Sequence, residues 1–135
     1  MKKLISVLLT STEIGMISYW VVAFLMLFGV LHIPPEYMYS DYKNPTIIAW
    51  NWSFFPIDLI FSIAGLYARF GQHALYKKQL LETVSISLMF CAGLMAISFW
   101  TIQNSYDIFW WGTNIWLIVL SVIVFLINYC GEKDV

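Results

Sequence analysis

Four apolar stretches fill almost all of this 135-residue chain. A membrane-crossing helix needs roughly 20 apolar residues, at ~1.5 Å rise each, to span a hydrocarbon core of about 30 Å. Segments of that length and composition are stable in lipid and not in water. Composition agrees: charged residues make up 11% of the chain, against about 25% in soluble domains. A chain this size could not hide 61% hydrophobic residues in one aqueous core. The expected fold is all-α, a four-helix transmembrane bundle forming a single membrane domain over 1–135, with spans at about 14–31, 47–68, 83–102 and 108–128.

Local signals mark the ends of these spans. Lys2 and Lys3 precede an apolar run from Leu4 to Ile33. A secretory h-region is only ~7–15 residues long and is followed by a small-residue cleavage site. This run is longer and no Ala-x-Ala follows it, so an uncleaved signal anchor is expected, with 4–12 as an interfacial lead-in or an extra turn or two. Pro34 and Pro35 cannot continue the first helix. The second is entered through Asn44-Pro45 and ends at Arg69-Phe-Gly71. The short link Asn104-Ser-Tyr-Asp107 makes the last two spans an antiparallel hairpin.

Orientation follows from Lys and Arg, which favour cytoplasmic loops. Lys2, Lys3, Arg69, Lys77, Lys78 and Lys133 share one side of a four-span chain, and Lys43 stands on the other. Both termini and the loop 69–82 are therefore expected in the cytoplasm. Tyr37, Tyr39 and Tyr42 lie in the outer loop 32–45, read as a lid pressed on the outer face. Trp50, Trp52, Trp100, Trp110 and Trp111 cluster near the outer interface. They read as an interfacial belt, whose rings want an apolar body and a wet tip, or as the lining of an aromatic outer pocket.

Polar residues inside the spans carry any chemistry. Asp58 lies ~17 Å into its helix by helix rise, near the midplane, and no Lys or Arg shares its depth. An intramembrane carboxylate is costly. Desolvation disfavours its charged form, so Asp58 is expected as the neutral acid, donating a hydrogen bond. It is either a proton, ion or ligand site or a tie between helices. Asn51, Asp58 and Gly65 recur at intervals of seven, with Ser62 on the same face. Pro56 deprives the Trp52 carbonyl of its usual donor, so a kink is expected beside Asp58. Asn114, Ser121 and Asn128 form one face of the fourth span; Ser87, Cys91, Ser98 and Thr101 form one on the third. These faces are expected to meet the stripe of the second span, since lipid would leave them unsatisfied. Ala92-x-x-x-Ala96 suits close helix approach. Glu13 is expected at the inner boundary, reaching headgroups by snorkelling. The other reading is a second step of a proton path, although Glu13 stands ~15 Å from Asp58 by helix rise, too far for direct pairing.

Several chemistries have no signature here. No Gly-rich phosphate loop or His-Glu-x-x-His helix occurs. There is no Gly-x-Ser-x-Gly elbow. Cys91 and Cys130 have neither the number nor the spacing of a disulfide framework or metal site. His32 and His73 lack accompanying ligands, so no metal or cofactor is expected. Net charge is −1, which gives no basic field for nucleic acid. The two helical hairpins show no convincing repeat.

The segment Trp50-Asn-Trp-Ser-Phe-Phe-Pro56-Ile-Asp58-Leu is followed by a basic inner loop, a third span and a Trp-rich start to the fourth. In these features the chain resembles the small four-span YvaD-like membrane proteins of Bacillus and relatives, over nearly its whole length. The resemblance implies this architecture and a bacterial plasma membrane, and transfers no catalytic residue.

The expected function is non-enzymatic: a multi-pass membrane protein that binds a partner protein or a hydrophobic ligand within the bilayer. The candidate ligand or proton-binding residues are Asp58, Asn51, Trp52, Ser62, Asn114 and Ser121. The alternative is a proton-coupled transporter of a small solute or ion using Asp58, for which so small a bundle would need to form a homo-oligomer. A second alternative, an intramembrane enzyme acting on a lipid-like substrate, requires another ionisable group beside Asp58.

Overall fold

The computed structural model describes residues 2–34, 37, 41, 43–72 and 74–131, with the backbone alone at 2 and 129–131. The expectations for Pro35, Tyr39, Tyr42, His73, Lys133 and the side chain of Cys130 lie outside the described residues. The described chain is all-helical: α1 (Lys2–Leu27), α2 (Pro45–Ser53), α3 (Phe55–Phe70), α4 (Leu75–Ile102) and α5 (Ile108–Gly131). Counting α2 and α3 as one interrupted rod, Pro45–Phe70, four helices are long and apolar enough to cross a membrane.

Each boundary has a chemical cause. α1 runs unbroken from Lys2, so 4–12 forms extra turns of the same helix, the second of the two expectations. It ends at Leu27, short of the expected 31. Gly29 adopts a left-handed conformation at φ 70°. Its N–H donates to the Met26 carbonyl at 3.0 Å, and the Val30 N–H to that of Leu25 at 2.8 Å. This pairing closes a helix before any proline is reached. Asn44 caps α2, its Oδ1 accepting from the Thr46 N–H at 3.0 Å, with Pro45 in the first turn. The kink expected at Pro56 is a break at Phe54, whose N–H turns back to the Asn51 carbonyl at 3.1 Å. α4 starts eight residues before the expected span and ends as α1 does. Asn104 takes φ 53°, and the Ser105 N–H donates to the Trp100 carbonyl at 3.1 Å. Asp107 then caps α5, with Oδ1 accepting from the N–H groups of Phe109 and Trp110, each at 3.0 Å.

Packing runs in series: α1 on α3, α3 on α4, α4 on α5. No more than a third of the most apolar window of any helix is buried against the others. The remaining faces are apolar and outward, which suits hydrocarbon and not water. Phe61, Met89, Leu117, Leu120 and Trp20 form the core of the bundle. Small residues set the closest approach. A Cβ on Gly93 would stand 2.7 Å from the Asn114 backbone oxygen and 2.9 Å from Ile118, so α4 and α5 touch there. Ala92 and Ala96 are buried on the same face.

The inward face of α4 is not the one expected. It presents Ser85, Ile86, Met89, Ala92, Gly93, Ala96 and Trp100, whereas Cys91, Ser98 and Thr101 point outward. Ser98 and Thr101 face outward without leaving a polar group unsatisfied. Their hydroxyls donate to the carbonyls of Leu94 and Ile97 in their own helix, both at 2.7 Å. Asn128 of α5 is likewise exposed, although Asn114 and Ser121 are buried. In the 32–45 connection Tyr37 is exposed.

Candidate functional site

The stripe expected on the second span faces inward. Asn51, Asp58, Ser62 and Gly65 are all buried, and α1 supplies partners that the sequence did not announce. The Tyr19 hydroxyl donates to Asn51 Oδ1 at 3.3 Å. The Trp20 indole N–H donates to Asp58 Oδ2 at 3.0 Å. Asp58 accepts a hydrogen bond at this oxygen; its Oδ1 is buried and has no partner among the described residues.

Further along the same seam lies a second buried carboxylate. Glu13 is fully buried and pairs with Arg69, which corrects two expectations. Glu13 does not snorkel to the boundary, and Arg69 is not a loop residue but the last turn of α3, folded inward. Two neighbours make this burial tolerable. Gly65 leaves the space that the Glu13 carboxylate occupies. Ser85 Oγ stands 3.4 Å from Glu13 Oε1 while donating to the Phe61 carbonyl at 2.7 Å. Arg69 Nε also donates to Thr10 Oγ1 at 3.2 Å. A buried charge needs this degree of pairing.

Because helices pack in series, the two ends of the series, α1 and α5, stand apart. Between them lies a half-open cleft of about 340 Å³. Its base holds Asn51, Asp58 and Asn114; its walls include Tyr19 and Trp20 from α1 and Trp110 and Trp116 from α5. A Cβ on Gly15, on the α1 wall, would meet nothing within 4 Å. One hydrogen bond crosses the mouth, from the Trp116 indole N–H to Thr12 Oγ1 at 2.9 Å. No Lys, Arg or His lines the cleft among the described residues.

Of the six candidate residues, Asn51, Asp58 and Asn114 meet in this cleft and three do not. Trp52 stands behind Trp20, ring centroids 5.3 Å apart, within a cluster that includes Phe24 and Phe55. Ser121 donates to the Leu117 carbonyl at 2.7 Å, inside the α4–α5 contact. Ser62 is buried one turn below Asp58 with no partner for its hydroxyl among the described residues. The remaining tryptophans divide. Trp50, Trp100 and Trp110 pack together with Phe99, which lies on Trp50 at 4.1 Å. Trp111 donates to the Ser105 carbonyl at 3.2 Å.

Compared with known families, residues 5–133 match the model of DUF5360, a family of unknown function. The chain belongs to the DUF5360 family. The Uncharacterized protein YvaD of Bacillus subtilis (strain 168) is 38% identical over 109 residues, which is 80% of this chain and 78% of that protein. The resemblance read from the Trp50–Asp58 segment is thereby borne out. No solved structure matches the chain. Membership in DUF5360 carries no assigned activity, so the site rests on its own geometry. A second cavity, of about 430 Å³, opens at the opposite end of this DUF5360 chain; Leu9, Arg69, Lys78, Glu82 and Asn128 are among its lining residues. Among the described residues no group of three His, Cys, Asp or Glu side chains could hold a metal.

Proposed function

We propose that this chain is a multi-pass protein of a bacterial plasma membrane, with both termini cytoplasmic, and that the α1–α5 cleft binds a hydrophobic small molecule entering from the bilayer. The observation that carries the reading is the combination of an open-sided cleft and a buried, half-partnered carboxylate at its base. Binding pockets are typically concave and mostly apolar, about 300–1,000 Å³ in volume, with a few convergent polar groups. The cleft meets each of these conditions. It lies between two helices whose outer faces are apolar, so hydrocarbon is the natural route in. The orientation does not depend on Arg69: with that residue paired to Glu13, Lys2, Lys3, Lys77, Lys78 and Lys133 still oppose Lys43.

A proton-coupled transporter is the second reading. It draws on the α1–α3 seam, where polar groups run from Asn51 through Asp58 and Ser62 to Glu13 and Arg69, and on the second cavity at the far end. An enzymatic reading has less support, because Glu13, the other buried carboxylate, is engaged by Arg69 and not by Asp58.

Native purification with mass spectrometry of co-isolated small molecules tests the ligand reading. A hydrophobic molecule should accompany the wild-type protein and be lost from Gly15→Trp, whose side chain fills open space in the cleft. An identical set of molecules on both proteins would count against it.

A further inference from the structure

We infer that the cleft takes an organic cation: an ammonium or similar positive centre on a compact hydrophobic body. This assignment rests on the ligand-site reading above and narrows it to a chemical class. Three features converge. Asp58 is the carboxylate of the cleft, 3% exposed. Trp20 satisfies its Oδ2 at 3.0 Å, and Oδ1 has no partner among the described residues. A desolvated carboxylate gains from a positive charge brought to it, because the low dielectric strengthens the attraction and pairing offsets the cost of an isolated buried ion. The protein supplies no such charge, since no Lys, Arg or His lines the cleft among the described residues and Arg69 is held by Glu13.

The walls favour the same class. Tyr19, Trp20, Phe109, Trp110 and Trp116 surround the base. Aromatic faces attract cations electrostatically, Trp most strongly, and more so when the cation is desolvated. An anionic ligand would meet the Asp58 carboxyl group with no cation to balance it. A neutral hydrogen-bond donor could satisfy Oδ1 but would bring no charge to the carboxyl group. Asn51, Thr113 and Asn114 add neutral polar groups to the lining and no competing charge.

The test compares benzyltrimethylammonium with its neutral isostere neopentylbenzene. Both are titrated into purified full-length protein in lipid nanodiscs, followed by tryptophan emission against empty nanodiscs. The cation should bind wild type at least about ten-fold more tightly than the isostere. Asp58→Asn should erase the difference; Asn keeps an acceptor for Trp20, so the bundle is preserved. Trp116→Leu, at a side chain 41% exposed, should weaken the cation more than the isostere. If both probes bind wild type and Asp58→Asn equally, and Gly15→Trp abolishes both, the cation assignment falls and the hydrophobic-ligand reading stands. If neither probe shows binding sensitive to Gly15→Trp, both fall.

Discussion

The carboxylate of Glu13 on α1 occupies the place on α3 where a side chain at Gly65 would stand. This contact explains how a charged residue enters the interior of the bundle. A glycine opens the space, Arg69 supplies the opposite charge, and Ser85 lines the remaining side.

Gly65→Ala should therefore destabilise the protein by about 1–3 kcal/mol, the usual cost of overpacking. Its Cβ would collide with the Glu13 carboxylate and stand 2.7 Å from Ser85 Oγ. Arg69→Ala should cost more, about 3–5 kcal/mol, because it leaves a buried charge unpaired. The double change Glu13→Leu with Arg69→Leu should lie closer to wild type than Arg69→Ala alone. Denaturant unfolding in detergent micelles measures all three. If Glu13 lay at the membrane boundary, Gly65→Ala and Arg69→Ala would both be nearly silent.

Gly93→Val should separate α4 from α5. The new Cβ would press on the backbone oxygen of Asn114, which cannot rotate away as a side chain can. A loss of about 1–3 kcal/mol is expected, against almost none for Cys91→Ala two residues earlier, on the outward face. Equal effects of the two changes would mean that α4 is rotated relative to this arrangement.

How much of this was legible in the sequence varied with the residue. The inward face of the α2–α3 rod was readable because helical spacing sets the polar groups of Asn51, Asp58 and Ser62 on one side, where they meet a neighbouring helix. The hairpin at 104–107 was readable because so short a link forces its two helices to run antiparallel. The face of α4 was misread for the complementary reason. Ser98 and Thr101 satisfy their hydroxyls on their own carbonyls, so a hydroxyl does not point inward by necessity. Gly93, Ala92 and Ala96, which lack bulk, were the better guide. Glu13 stands where snorkelling and burial look alike, and its partner Arg69 reads equally well as a topology-setting charge. Tyr19 and Trp20 could not be matched to Asn51 and Asp58 without knowing how α1 is rotated.

Asp107→Ala should destabilise the α4–α5 hairpin by about 1 kcal/mol through loss of the cap. Asn104→Gly should be neutral or mildly stabilising, since glycine takes φ 53° without strain. Asn104→Val should be destabilising, because a β-branched residue fits that conformation poorly. The same unfolding measurement ranks the three variants. A neutral Asn104→Val would show that the turn relaxes to another geometry.

The two buried carboxylates differ in access, and that difference is the core of the account. Asp58 sits at the base of a cleft open between α1 and α5, whereas Glu13 is sealed between Gly65, Ser85 and Arg69. Labelling with a hydrophobic carbodiimide in native membranes, followed by peptide mass spectrometry, separates them. Asp58 should be modified, Glu13 should be spared, and Gly15→Trp should protect Asp58. Equal modification of both carboxylates, or an unreactive Asp58 in the wild-type protein, would contradict an open cleft with Asp58 at its base.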